Sequence, residues 1–419
     1  MQNAREIRDK EKLMYILSEK KEESEISQNI LKETVIILYL YYEETIIKYL
    51  SYLDYIPKEI NVFIVTANCA VFDFLEDLIF KKKLLCNSKK IKLLMQPNRG
   101  RDVAALIVTC REIVLGAKYF CFVHDKKTKH KYRIEDTNRW ITNLWGNTLA
   151  SDAYIKNVLY LFETNEELGV LTPPEPYGEY MTAWFNKSWY NSYEDVKMLQ
   201  KELNLNSDIR EEFTPITLGT VLWGRVSALK KIFYKKWAYD DFPEENEPVG
   251  AISYAIERIW AYVAQDAGFK TGTIMTSEYA EEKMIFLQSL LENSFWALNN
   301  FLGLNNAYEI NHLKQKILQI EDYYKSNRKI YLYGAGKKAQ DCLSLLYNLR
   351  LPVQGIIVSD QILNPDDVMG IKVYSIDEIK VDINVGIIIA VGKAYLSSVE
   401  DELKKRGISN YITFTWQTE

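Results

Sequence analysis

Apolar and polar positions along this chain change period several times, and the changes mark its elements. Val35–Leu40 is an unbroken apolar run, the pattern of a strand covered on both faces. Tyr42–Leu53 continues with helical spacing. Asn61–Thr66 reads as a second strand, Phe72–Lys82 as a helix with Asp73 near its start, and Lys90–Met95 as a third strand. Asp102–Leu115 has a helical period and carries Asp102 in its first turn, where a carboxylate complements the helix dipole. Tyr119–Val123 is a fourth strand. Strands alternating with helices predict an α/β fold with a largely parallel sheet.

Further along, Trp140–Leu149, Ala153–Thr164 and the amphipathic Ser192–Leu203 read as helices. Leu168–Thr172 is a strand stopped by Pro173 and Pro174, and Thr217–Arg225 reads as another. Ser227–Phe233 is helical. Asp240–Glu245 forms an acidic loop, and Ala251–Gln265 is a helix with Gly268 as its C-cap. A second αβ pattern begins at Lys329–Tyr333. It runs through Val353–Val358, Gly386–Val391, a helix near Val399–Arg406 and a last strand at Tyr411–Thr413. The expected division is a charged segment over 1–32 (helix or frayed tail), a main domain over 33–280, a helical connector over 281–327 that also packs on the main domain, and a small Rossmann-like domain over 328–419.

Composition narrows the field. At 419 residues the chain has room for two or three domains. A net charge of −5 argues against nucleic acid as a partner. The N-terminus lacks the apolar stretch of a signal peptide, and Val35–Tyr42, the longest apolar run, is too short to span a bilayer. The five cysteines show neither C-x-x-C nor zinc spacing, and most read as core thiols. These features suggest a cytoplasmic protein, with peripheral contact at the inner face of the cell membrane left open. Oligomeric state is open too.

The chemistry-bearing stretch runs from Gln96 to Lys129. An Asn98-Arg99-Gly100-Arg101-Asp102 turn leads into a helix and then a strand that ends in His124, Asp125, Lys126 and Lys127. Open α/β sheets take ligands at the carboxyl ends of their strands. Ionisable groups at such an end suit a phosphorylated ligand; the alternative is a solvated basic turn. Gly100 permits close backbone approach, and Asn98 and Asp102 suit hydrogen bonds to a nucleoside, unless Asp102 only complements the helix dipole.

The Asn-x-Gly-Arg-Asp turn, the His-x-Lys-Lys strand end, Gly219 with Arg225 and Trp223 between them, and the Ala255-x-Glu257-Arg258 helix occur here in one order. This succession resembles the rhamnan synthesis F family of bacterial cell-surface glycosyltransferases over roughly residues 33–280. It also resembles the GT-A architecture. The resemblance implies a nucleotide-sugar donor, a lipid-linked glycan acceptor and transfer of a sugar such as rhamnose. Three positions depart from the family pattern: Val249 and Ala251 in Val249-Gly250-Ala251, where Asp-Gly-Thr is expected, and Tyr254, where a His is expected.

Glycosyl transfer needs a base for the acceptor hydroxyl and charge stabilisation for the departing diphosphate. The resemblance points to Glu257 as the base, with a salt bridge to Arg258 as the bland alternative. Asp240 and Asp241 are the other acidic candidates. Either Asp125, with His124, holds Mg²⁺ or Mn²⁺ through the donor phosphates, or His124, Arg101, Lys126, Lys127 and Lys129 neutralise them without metal. Lys129, His130 and Lys131 could equally be a solvated loop. Trp223, Arg225 and Asp240 are acceptor-side candidates, Trp223 either stacking on a sugar or packing in the core. In the C-terminal region Gly334, Gly336 and Ala339 fit G-x-G-x-x-A after a strand, and Asp360 ends the next strand, which suggests a nucleotide site. Two other functions stay open: a NAD(P)-dependent oxidoreductase led by that loop, and a noncatalytic scaffold of a polysaccharide assembly complex.

Overall fold

The computed structural model describes residues 13–81, 91–127, 134–174, 189, 192–211, 217, 219–244, 251–302, 307–360, 364–379 and 385–414. The chain divides into two compact units, Met1–Phe286 and Leu287–Glu419. The expected residues Lys129, His130, Lys131, Val249 and Gly250 lie outside the described residues.

The first unit is built on an eight-stranded sheet. Its strands are β1 (Leu13–Leu17), β2 (Thr34–Tyr39), β3 (Asn61–Thr66), β4 (Ile91–Met95), β5 (Tyr119–His124), β6 (Leu168–Thr172), β7 (Leu222–Arg225) and β8 (Lys270–Thr276). They lie in the order β1-β8-β6-β7-β5-β2-β3-β4, and every pairing is parallel except the two made by β7. Alternation along β2 explains its unbroken apolar run. Ile36 and Leu38 enter a core shared with helices Cys69–Phe80 and Asp152–Thr164; Val35, Ile37 and Tyr39 enter one shared with Arg101–Ala104 and Ala251–Asp266. Each fully buried side chain of this kind stabilises by roughly 1.5–3 kcal/mol before ordering entropy is set against it.

From β2 the chain winds to one side through β3 and β4, then returns on the other side as β5. That reversal opens a crevice outside the carboxyl ends of β2 and β5.

Three expectations change. The charged N-terminal segment contains β1, which pairs in parallel with β8. Buried Asn157 anchors the chain beyond it: its Nδ2 donates to the carbonyls of Ser18 and Lys21, and its Oδ1 accepts from Glu23 N–H. The Thr217–Arg225 strand shortens to β7 because Gly219 (φ +85°) and Thr220 (φ +46°) are left-handed and cannot extend. The Asp102–Leu115 helix is interrupted: helix Arg101–Ala104 passes into a π turn, Ala105–Thr109, closed by Cys110 N–H on the Ala105 carbonyl, before helix Arg111–Leu115.

The second unit carries β9 (Lys329–Tyr333), β10 (Gly355–Val358), β11 (Asp367–Val368), β12 (Ile371–Ser375), β13 (Val385–Ile389) and β14 (Tyr411–Thr413), in the order β11-β12-β10-β9-β13-β14. Only β11 runs antiparallel to its neighbour. Over 281–327 the chain forms helices Ser277–Leu302 and Ala307–Ser326, and the division between the units falls inside the first. Ile320 of the second helix is buried in the core of the second sheet.

Candidate functional site

Asp125, the residue after β5, ties the ends of β2 and β5 together. Its Oδ2 accepts from the N–H groups of Tyr41 (2.7 Å) and Tyr42 (2.8 Å), and its own N–H donates to the Tyr39 carbonyl (3.0 Å). Asp125 is only 4% exposed, and its Oδ1 has no hydrogen-bond partner among the described residues. Burial pushes its carboxyl up to about 6, although the Tyr42 and Tyr41 amides pull the other way. Lys126 follows, its ammonium 3.7 Å from the Trp140 ring centre. Enclosure lowers the pKa of that ammonium, while the charges of Glu257 and Asp102 oppose the shift. Lys127 sits at the exposed margin, paired with Glu44 at 2.8 Å.

His124 is buried at the end of β5 and faces inward. Its Nε2 lies 2.5 Å from the Gly219 carbonyl oxygen and its Nδ1 2.7 Å from that of Asp125. Carbonyl oxygens only accept, so the two bonds form together only when both ring nitrogens carry hydrogen. Asp102 Oδ2 lies 3.7 Å from Nε2. Gly219 is held from its other side as well: its N–H donates to Glu257 Oε1 at 2.8 Å. Residues 124, 219 and 257, far apart in sequence, therefore meet at the backbone of one glycine. Glu257 stands on helix Ala251–Asp266, and its Oε1 is 3.7 Å from the Arg258 guanidinium, so the expected ion pair is present but long.

The turn after β4 completes the group. Gly100 has φ +73°, and a Cβ there would lie 2.5 Å from Ala104 Cβ and 2.7 Å from the Phe242 ring, so only glycine fits. Arg101 is also left-handed (φ +49°) and exposed. Asn98 Nδ2 donates to the Tyr41 hydroxyl (3.1 Å), linking this turn to the end of β2. Arg99 donates to the Phe242 carbonyl (2.7 Å) and to Asp240 (2.7 Å), fixing the acidic loop beside the turn. Asp241 accepts from Ala238 N–H (2.8 Å) within its own short helix. Buried Gln96 braces the turn from below, donating to the Arg101 carbonyl (3.0 Å) and accepting from Thr109 (2.6 Å).

Two candidates stand elsewhere. Trp223 is fully buried and its Nε1 donates to the Thr148 carbonyl, so its ring packs in the core and offers no face to a sugar. Arg225 pairs with Tyr119 at the start of β5, the opposite edge of the sheet from His124. There it donates to the carbonyls of Leu168, Phe162 and Asn165 and to the Tyr119 hydroxyl. Both are structural, and the acceptor role expected of them falls away.

A family model described as rhamnan synthesis protein F matches residues 1–269. The chain belongs to the rhamnan synthesis protein F family. The match takes in every residue of the crevice and stops short of the second unit. No curated protein matches the chain. Membership ties the chain to rhamnan synthesis, a polysaccharide pathway. No helix among its described residues is long and apolar enough to cross a membrane.

Sequence reasoning missed Gln96, Tyr41 and the turn at Gly219. A polar residue directly after a strand was the available signal for Gln96. For Gly219 the signal was the Gly-Thr pair breaking a run otherwise read as strand. In the second unit, Gly334 (φ +111°) leaves β9 with room for no Cβ: one would lie 2.8 Å from the Ala390 carbonyl oxygen. Gly336 caps helix Lys337–Asn348 without a side-chain bond, and Ala339 is buried beneath it. Asp360 follows β10 by two positions, and its carbonyl accepts from Asn364.

Proposed function

We propose that this protein is a GT-A-like glycosyltransferase. It moves a sugar, with rhamnose the first candidate, from a nucleotide-sugar donor to a lipid-linked, growing bacterial cell-surface glycan at the cytoplasmic face of the membrane. The observation that carries this reading is the convergence, outside the carboxyl ends of β2 and β5, of the Asn98–Asp102 turn, Lys126 and Glu257. A fold reversal supplies the crevice, and these residues supply donors, cations and a base at one place.

In the proposed reaction the acceptor hydroxyl oxygen bonds to the anomeric carbon of the donor sugar. The bond from that carbon to the phosphate oxygen breaks, and the nucleoside diphosphate leaves with the electron pair. Glu257 takes the hydroxyl proton through Oε2, since Oε1 already accepts from Gly219. Lys126 and Arg101 stabilise the negative charge gathering on the leaving diphosphate, with Lys127 at the margin. Asn98 and Asp102 hold the nucleoside.

Mg²⁺ or Mn²⁺ fits this residue set poorly as a protein-held ion. Both nitrogens of His124 face carbonyls, and one oxygen of Asp125 is held by two amides. Among the described residues no three His, Cys, Asp or Glu side chains are grouped to hold an ion. No step here runs through a metal.

The test is a panel of UDP-, dTDP- and GDP-linked sugars with a synthetic lipid-linked acceptor. Transfer or slow donor hydrolysis with one class is expected. Absence of both across the panel, with no diphosphate binding, overturns the reading.

A further inference from the structure

We propose that His124 is a positioning residue for this site: through the Gly219 backbone it holds the Glu257 carboxylate in its working orientation. The inference rests on the proposed transferase reading and replaces the expectation that His124 helps to hold a metal ion or meets the donor phosphates.

Three observations carry it. First, each ring nitrogen is engaged by a backbone carbonyl, Nδ1 by that of Asp125 and Nε2 by that of Gly219, while Asp102 Oδ2 stands farther off at 3.7 Å from Nε2. Second, Gly219 is gripped on both sides, by His124 at its carbonyl and by Glu257 at its N–H. The hydrogen-bonded chain from His124 to Glu257 therefore runs through a single residue. Third, the turn is strained. Gly219 is followed by Thr220 at φ +46°, a conformation that a β-branched residue rarely adopts. Such a backbone persists only where its surroundings over-determine it, and such places cluster at functional sites. The His124 carbonyl is itself fixed, accepting from buried Trp145 Nε1 at 3.0 Å, so the clamp starts from a rigid strand end.

The consequence is geometric. Glu257 Oε1 is occupied by an N–H whose position His124 dictates, and this fixes where Oε2 lies. Release of the Gly219 carbonyl lets the turn relax and the carboxylate rotate. Donor binding, which relies on Asn98, Asp102, Lys126 and Arg101, stays in place.

The test compares His124→Ala, His124→Gln and Glu257→Gln in the full chain. Diphosphate binding is measured by calorimetry with UDP, dTDP and GDP, and turnover with the nucleotide sugar of the class that binds. Gln carries a donor near the position of Nε2, with neither charge nor a titratable proton. We expect His124→Ala to lose roughly 100-fold in kcat, with diphosphate Kd and donor KM within about twofold of wild type. His124→Gln should recover to within about tenfold of wild type. The His124→Ala, Glu257→Gln double variant should fall no further than Glu257→Gln alone, as expected of residues acting in one chain.

A tenfold or greater loss of diphosphate affinity in His124→Ala would make His124 a phosphate ligand and overturn the inference. So would a Gln variant as poor as Ala, which points to charge or proton transfer, or additive losses in the double variant. Failure of wild type to bind any of the three diphosphates would instead sink the underlying transferase reading. Thermal unfolding of each variant separates these outcomes from misfolding.

Discussion

The two units of this chain share a parallel-sheet plan with a reversal at the centre, yet they finish their central strands in opposite ways. At the ends of β2 and β5 the crevice is crowded with ionisable side chains, most of them engaged with backbone or with each other. At the ends of β9 and β13 the chain leaves through glycines. Gly336 and Gly392 cap helices Lys337–Asn348 and Lys393–Lys405, and neither helix has a side-chain cap. The ionisable groups of the second unit bind one another instead: Glu402 accepts from Tyr333 (2.6 Å) and Ser359 (2.5 Å) and pairs with Arg406 (3.2 Å). The first arrangement can place a base and cations on a substrate; among the described residues the second presents backbone N–H groups and helix dipoles, with exposed Lys337 and Lys393 opening the two helices. Shared topology thus separates from shared chemistry: among the described residues, a base and cations gather at the strand ends of the first unit and not at those of the second.

The contrast is sharpest at Glu257. Glu257→Gln should lower turnover by roughly 10²- to 10⁴-fold, the usual range for losing a general base, while diphosphate affinity holds. Turnover kinetics beside calorimetry check this, and an unchanged kcat would remove Glu257 from the chemistry. Arg225 is the opposite case. Arg225→Ala should cost about 3–4 kcal/mol of stability, because buried carbonyls of Leu168 and Phe162 lose a charged donor. Diphosphate affinity, measured below the lowered Tm, should not move. A specific loss of binding would return Arg225 to the ligand site.

Much of this was readable in the sequence, and the failures have physical causes. The central strands declared themselves because burial on both faces leaves a continuous apolar run, as in Val35–Leu40. The Asn98–Asp102 turn and the Asp125–Lys126 strand end stood out as a candidate site because ionisable residues gathered at the carboxyl ends of parallel strands suit a ligand; Glu257, in mid-helix, was offered only by the family resemblance. Arg225 misled because strand direction is invisible locally, and β7 runs antiparallel, which carries it to the far edge; Trp223 misled because the sequence does not show that its ring is wholly enclosed by the core. β1 was hidden because an edge strand buries one face, leaving Met14 and Ile16 exposed among charged neighbours. His124 looked like a ligand because its two carbonyl partners belong to backbone, one of them 95 positions away.

Glycines give the next, smaller effect. Gly100→Ala should destabilise the first unit by about 2–3 kcal/mol, combining a left-handed backbone with overlap against Ala104 and Phe242. Gly336→Ala, at φ −91° with open space around the added methyl, should stay within about 0.5 kcal/mol of wild type. Chemical denaturation measures both. Comparable losses would mean that Gly336 has a constraint its backbone does not reveal.

Titration distinguishes the units by sign. Asp125 has a carboxyl raised by burial to about 6. Between its ordinary value and 6 the folded chain holds more protons than the unfolded one. Its stabilising contribution is therefore complete at low pH and lost as pH rises through 6. Asp125→Asn keeps an oxygen for the Tyr41 and Tyr42 amides and cannot ionise, so at pH 7.5 it should stabilise the first unit by about 1–2 kcal/mol. The gain should shrink as pH falls from 6 to 4. Glu402 behaves oppositely: burial raises its pKa, but hydrogen bonds from Ser359 and Tyr333 and the charge of Arg406 outweigh this and hold it below the usual range. Its contribution is present above the ordinary carboxylate value and lost as pH falls through the lowered one, so Glu402→Gln should weaken the second unit slightly at neutral pH. Hydrogen exchange resolved by unit, from pH 4 to 7.5, reads both signs in one experiment. Matching signs would mean that the buried carboxylate at the crevice is as well satisfied as the one outside it, and the distinction between the two strand edges would fail.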